Sequence, residues 1–317
     1  MLIGLKQFFA LLALVIFFVA GFGVAKIYDR APRNAPVVSD NSRYMLINPT
    51  ILTNSSKHFI INFTPLRDKI KQIINAYPQK TYFYFSYLNN ASWVGINERE
   101  TFVAASLAKV PLAMAIYKAA EEGKLSLTQP YTIEELDLNF GFGDLYKTGI
   151  DRSFTLEELI QIMLEQSDNT AQSALVNVFH RIGIDSPYDE IYQAFGWVLD
   201  IDKNVNANEI NLKTLSAMYL SLYNATYISA EHSQRILEYL THTPFNDKLA
   251  AGVPLGVVVS HKIGVSGETL TYSDCGIVYA PNRNYLLCLG SEGANENEAR
   301  KLMKDTSKAT YDFVIQN

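Results

Sequence analysis

Two cysteines and five histidines are all that 317 residues offer toward soft metal ligation. None stands in a C-x-x-C or H-E-x-x-H spacing, so neither a metal nor any other cofactor is expected. A basic excess is missing too: the net charge is −5, which leaves no electrostatic footprint for nucleic acid. Long hydrophobic runs are scarce, with one exception. Phe8 to Ala25 is almost unbroken apolar chain preceded by Lys6, a length between a signal-peptide core and a membrane span. Small residues at Gly21-Phe22-Gly23 or Gly23-Val24-Ala25 leave cleavage open. The reading preferred here is an uncleaved N-terminal membrane anchor over 1–28, with the remainder outside the cytoplasm, at the cell surface or in the periplasm.

From Lys26 to about Ser56 the composition turns to Pro, Asn, Ser and Arg, which reads as an extended tether over 29–58. The rest, 59–317, is expected to be one domain, and 48 % apolar composition is ample for its core. Thr64-Pro65 reads as a helix N-cap followed by proline at the first helical position, with Leu66, Ile70, Ile73, Ile74 and Tyr77 sharing a face. Thr81 to Leu88 is aromatic and β-prone, Asn89-Asn90 turns, and Ser92 to Ile96 returns as a second strand.

The middle of the chain is helical in character. Thr155 and Glu158 form a capping box for a helix to about Gln166, another helix runs Thr170 to His180, and Asn211 caps a helix through Tyr223. Strand character resumes at Val257 to Gly264, Ser273 to Tyr279 and Asn284 to Gly290, with Pro281-Asn282 turning the last hairpin, and Ala294 to Ile315 closes as a helix. The expected fold class is α/β, an α+β sandwich. Its antiparallel sheet is built from the N- and C-terminal parts, flanked by helices, with an all-helical insertion between them.

One stretch carries chemistry. Ser106-Leu107-Ala108-Lys109 is the only Ser-x-x-Lys in the chain, and it sits where a helix running to Gly123 begins. Residues three apart on a helix share a face, so Lys109 would stand beside the Ser106 hydroxyl. A serine hydroxyl needs a partner to take its proton, and a poorly solvated lysine can do so because desolvation lowers its pKa. Two further clusters follow: Ser167-Asp168-Asn169 directly after a helix, and Lys262-Ile263-Gly264 on a late strand. Taken singly, each is also what a helix-end turn or a solvated strand lysine looks like. The tripeptide Ser39-Asp40-Asn41 in the tether shows that the second can arise without chemistry.

Together, in this order and context, the three clusters resemble the motifs of class A β-lactamases and penicillin-binding proteins, over roughly residues 81–317. The resemblance implies that Ser106 attacks an amide or lactam carbonyl to give an acyl-enzyme. Lys109 would be the base or part of its proton path. Ser167 would relay a proton to the leaving nitrogen, with Lys262 beside it. Asn169 would hydrogen-bond the substrate's acylamide, Gly264 would line the substrate site, and the backbone N–H groups of Ser106 and Val265 would form the oxyanion hole. The substrate expected is a β-lactam or a D-Ala-D-Ala-like peptidoglycan stem peptide, whose carboxylate suits a cleft holding two lysines.

Two positions depart from that family. Ile263 stands where Thr or Ser is usual and cannot donate a hydrogen bond to a substrate carboxylate; Ser260, Ser266 or Thr269 are candidates to replace it. The E-x-x-L-N pattern that supplies a water-activating glutamate is matched only loosely by Glu209-Ile210-Asn211-Leu212-Lys213. Glu209 is thus a candidate for deacylation, with a capping or surface carboxylate as the alternative. These departures leave open a D,D-carboxypeptidase or a turnover-poor wall-binding sensor. Cys275 and Cys288 lie almost symmetrically about Pro281-Asn282 and are expected either as a disulfide or as two buried thiols.

Overall fold

The computed structural model describes residue 46 and residues 62–197 and 209–317, all within a compact unit, Tyr44–Asn317. The expected anchor over 1–28 and, Leu46 apart, the expected tether over 29–58 lie outside the described residues. Among the described residues no helix is long and apolar enough to cross a membrane. Leu46 itself is buried; its N–H donates to Gln234 Oε1 at 2.9 Å and its carbonyl accepts from the Tyr279 hydroxyl at 2.6 Å.

Helix α1, Thr64–Ile74, starts with Phe63 rather than Thr64 at the N-cap, because the Asn62 side chain accepts the Thr64 N–H at 3.0 Å. Strands β1 (Lys80–Tyr87) and β2 (Trp93–Ile96) form the expected hairpin. A two-residue β3, Phe102–Val103, leads into a 3-10 turn at Ala105–Ala108 and then α2, Lys109–Glu121. The insertion follows. Short strands β4 (Pro130–Thr132) and β5 (Ser153–Thr155) pair with each other ahead of α3 (Leu156–Glu165), α4 (Asn169–Arg181) and α5 (Tyr188–Ala194). Strand β6, Glu209–Ile210, pairs back to β3, and α6 (Leu212–Asn224) and α7 (Ala230–Tyr239) complete the helical part. Strands β7 (Val259–Ser266), β8 (Thr271–Val278) and β9 (Tyr285–Glu292) and helix α8 (Glu296–Gln316) end the chain.

The sheet is antiparallel in the order β2-β1-β9-β8-β7. Successive strand side chains point to opposite faces, which explains why β1 carries aromatic residues on both of its faces. Tyr82 and Tyr84 join the core shared with α2, α3, α4 and α6, while Phe83, Phe85 and Tyr87 join the core under α1 and α8. The fold is therefore the expected α+β sandwich, with the sheet buried on both faces between two terminal helices and a helical region. Burial of one such aromatic side chain contributes about 1.5–3 kcal/mol.

Caps read from sequence hold their places. Thr155 and Glu158 form a reciprocal capping box on α3, and Asn211 Oδ1 accepts the Thr214 N–H at 2.8 Å to start α6. Cys275 and Cys288 stand directly opposite each other on β8 and β9 and are joined as a disulfide.

Candidate active site

Ser106, the expected nucleophile, is presented by backbone geometry. Ala105 has φ of 47°, a conformation rare for a residue with a side chain. It breaks the run so that Ser106 lies in the 3-10 turn, closed by Leu107 N–H to the Ala104 carbonyl at 3.0 Å. This corrects the expectation that Ser106 occupies the first α-helical turn; the α-helix begins only at Lys109. The three-residue spacing still brings the two together, because a 3-10 turn superimposes residues i and i+3.

Lys109 is fully buried. Its Nζ lies 3.1 Å from Ser106 Oγ, 3.3 Å from Ser167 Oγ and 2.7 Å from Asn169 Oδ1, and it donates to the Ser167 carbonyl. Burial pushes the Lys109 pKa down to about 7, opposed by the charge of Asp168. Near neutral pH the amine thus keeps a lone pair able to take the Ser106 proton.

The second motif is held in place by its own middle residue. Asp168 is buried; one carboxylate oxygen caps α4 through the Ala171 N–H at 2.9 Å and the other accepts the Leu145 N–H at 2.8 Å. Gly143, with φ of 88°, lets its loop close on this carboxylate: a Cβ there would stand 2.1 Å from Asp168 Oδ2. Ser167 adopts φ of 57°, turning its hydroxyl toward both lysines. The Asn169 N–H donates to the Phe142 carbonyl at 2.9 Å, and its Nδ2 donates to Asn139 Oδ1 at 3.2 Å. Asp168, Gly143 and Asn139 are members of the site that the sequence reading did not assign. Asp168 stands inside the second motif, and for Gly143 and Asn139 the local signal is the close pair of glycines, Gly141 and Gly143.

The third motif arrives on the edge strand β7. Lys262 Nζ donates to Ser167 Oγ at 2.7 Å. Its pKa is held well below the ordinary value by burial and by the neighbouring charge of Lys109. Gly264 meets the nucleophile's turn: a Cβ there would lie 2.5 Å from Ser273 Oγ and 2.6 Å from the Ala104 carbonyl. Only a residue without a side chain allows β7 this close, and the approach brings Val265 to line the cleft with Ser106.

The two departures have a place in the structure. Ile263 is buried opposite Asp274, whose carboxylate is occupied by His261 Nδ1 at 2.8 Å and the Leu249 N–H at 3.0 Å. Of the hydroxyls considered in its stead, Ser260 donates to the Leu237 carbonyl at 2.7 Å, and Thr269 bonds Ser266 at 2.9 Å. Glu209 lies in β6, opposite Val103, rather than at the helix cap, which Asn211 provides. It is absent from the lining of the cleft around Ser106, where the described residues include no carboxylate.

The structure thus brings Ser106, Lys109, Ser167, Asn169 and Lys262 into one hydrogen-bonded cluster, with Gly264 and Val265 against it. The profile of the "β-lactamase enzyme family" matches residues 65–314. The chain is 24 % identical to extended-spectrum β-lactamase PER-1 of Pseudomonas aeruginosa over 245 residues, 70 % of this chain and 78 % of that one. It is 26 % identical to an imipenem-hydrolyzing β-lactamase of Enterobacter cloacae over 230 residues, 67 % and 77 % of the two chains. Among solved structures, PBP-A superposes with a TM-score of 0.72 at 23 % identity, over 80 % of this chain and 97 % of that one. A β-lactamase from Chitinophaga pinensis gives 0.70 at 20 % identity, over 79 % and 99 %.

Proposed function

Because this chain belongs to the β-lactamase enzyme family, we propose that it is an active-site-serine hydrolase that opens β-lactam or D-Ala-D-Ala-like amides through an acyl-enzyme on Ser106. The observation that carries this reading is the contact of the buried Lys109 amine with Ser106 Oγ at 3.1 Å, in a setting that pushes the amine pKa down to about 7. Lys109 takes the hydroxyl proton as Oγ bonds to the carbonyl carbon. The Ser106 and Val265 N–H groups receive the oxyanion. As the C–N bond breaks, the proton reaches the leaving nitrogen through Ser167 Oγ, which Lys262 orients. Water then releases the acyl group.

The loose match of Glu209-Ile210-Asn211-Leu212-Lys213 to the E-x-x-L-N pattern favours slow release, the behaviour of a D,D-peptidase toward β-lactams. The apolar run Phe8–Ala25 and the Cys275–Cys288 disulfide support placement of the domain outside the cytoplasm, on a membrane anchor.

The test is intact mass over time with a fluorescent penicillin, beside Ser106→Ala. A penicilloyl adduct on the wild type alone is the expected result. Disappearance of the adduct with release of opened drug marks a β-lactamase, persistence marks a D,D-peptidase or a turnover-poor sensor, and equal masses for both proteins throughout refute the acyl-enzyme.

A further inference from the structure

Lys262 stands in the same row of the sheet as the Cys275–Cys288 disulfide. Across β7, β8, β9 and β1 the directly opposed residues are Lys262, Cys275, Cys288 and Tyr84. Opposed residues share a face with Cβ atoms about 4.5–5.5 Å apart, so the stem of Lys262 lies beside Cys275. Both cysteines are fully buried, in the core that the sheet shares with α2, α3, α4 and α6. The far end of the row is fixed as well: the Tyr84 hydroxyl accepts from Lys213 Nζ at 3.0 Å, and the Tyr84 ring stacks on Trp93 with 5.8 Å between centroids.

Lys262 needs that support. Its Nζ donates to Ser167 Oγ at 2.7 Å and to the Ile263 carbonyl at 3.3 Å, while burial and the charge of Lys109 both work against its ammonium form. A side chain repelled in this way stays in place only if its strand does. In the sheet β7 is an edge strand whose one strand neighbour is β8. Its other side already meets the Ser106 turn at Gly264, where an added Cβ would stand 2.6 Å from the Ala104 carbonyl. Movement of β7 therefore carries Lys262 away from Ser167, and the position of β8 decides whether it happens. The bond from Cys275 ties β8 to β9 in the very row that holds Lys262. A slip of β8 along β9 by two residues, the smallest that keeps each side chain on its face, would carry Lys262 about 7 Å along the strand; the covalent link forbids it.

We propose that the Cys275–Cys288 disulfide positions Lys262 for the proton transfer through Ser167. The two cysteines touch neither substrate nor reacting atoms and act through Lys262, so they are positioning residues. The assignment rests on the acyl-enzyme reading above and attaches the disulfide to one step of it. A leaving nitrogen must receive a proton as its C–N bond breaks, whereas a sulfur leaving group departs as a thiolate without one. Opening of a lactam or amide therefore depends on the Lys262–Ser167 contact, and acyl transfer from a thioester does not.

The test measures acylation of Ser106 by penicillin and by an acetyl-D-alanyl thioester, followed by intact mass on the full chain. Two disulfide-free variants, Cys275→Ala/Cys288→Ala and the bulkier Cys275→Val/Cys288→Ala, are set beside the wild type, with thermal melts to identify the folded proteins. A third arm needs no substitution: a trialkylphosphine splits the S–S bond of the wild type, phosphorus taking the oxygen of a water molecule as its two protons go to the thiolates, and the mass rises by two hydrogens. Misplacement by about 1 Å costs on the order of 10²-fold in rate, so the penicillin-to-thioester rate ratio is expected to fall at least about tenfold once the disulfide is gone. If both substrates slow in the same proportion, the disulfide only stabilises the fold; if neither slows, it does nothing for the site. Either result overturns the positioning role while the acyl-enzyme stands. If neither substrate labels wild-type Ser106, both are overturned.

Discussion

Gly264→Ala isolates the contact on which the whole site depends. The added Cβ would sit 2.5 Å from Ser273 Oγ, 2.6 Å from the Ala104 carbonyl and 3.1 Å from Leu107 Cγ. Ser273 can rotate away, but Ala104 O is backbone, and its contact must open from 2.6 to the 3.4 Å of ordinary contact. Overpacking of this kind costs about 1–3 kcal/mol, and in a domain of this size each kcal/mol lowers the melting temperature by about 2–4 °C. The functional effect is larger. A 0.8 Å separation of β7 from the Ser106 turn moves the Val265 N–H away from the carbon that Ser106 attacks, and misplacement by about 1 Å costs on the order of 10²-fold in rate. Stopped-flow acylation by a chromogenic cephalosporin, beside thermal melts, reads both. Gly267→Ala is the control, since nothing lies within 4 Å of a Cβ there. If Gly264→Ala acylates within about threefold of Gly267→Ala and melts at the same temperature, the close approach does not organise the oxyanion site and the reasoning fails.

Three further outcomes are expected. Acylation should fall tenfold per pH unit below about pH 7, because protonated Lys109 cannot take the Ser106 proton; a rate constant flat from pH 5 to 8 would assign the base elsewhere. Lys109 is lowered from 10.5 to about 7 on folding, so the unfolded chain binds more protons between those values and the charge penalises folding most below pH 7. The melting temperature of Lys109→Met relative to wild type should therefore be highest below pH 7 and decline as the pH rises toward 10, and a pH-independent difference would contradict this. Asp168→Ala removes the cap of α4 and the acceptor of the Leu145 N–H, and should cost about 1–3 kcal/mol in urea unfolding; an unchanged midpoint would show that neither bond matters.

The contact of Ser106 with Lys109 was legible in the sequence because its spacing is local. Ser106 and Lys109 meet through one turn of helix, and the Thr155 box and Asn211 cap are contacts within four residues. The sheet was legible in outline, since aromatic and β-branched runs stand at both ends of the chain. What the letters did not carry was backbone conformation against type. An alanine at φ of 47° looks like any helix former, so the 3-10 turn under Ser106 was read as the start of the α-helix. Nor could the two-residue pairing of β3 with β6 be read, because it joins Val103 to Glu209 with too little pattern on either side.

The sheet order has a consequence for how the protein comes into being. Its central pairing joins residue 84 to residue 288, so the first strand made lies beside the last. A nascent chain that has already emerged through Ser106, and even through Ser167, still lacks β7 with Lys262 and the β9 strand that joins β1 to the rest of the sheet. Contacts of such sequence separation form late and slowly. The proposed Ser106 site is therefore completed only when the C-terminal strands dock and bring Lys262 to Ser167. A chain cut short between α4 and β7 would keep Ser106, Lys109 and Ser167 but lack Lys262 and the strands that join β1 to the rest of the sheet.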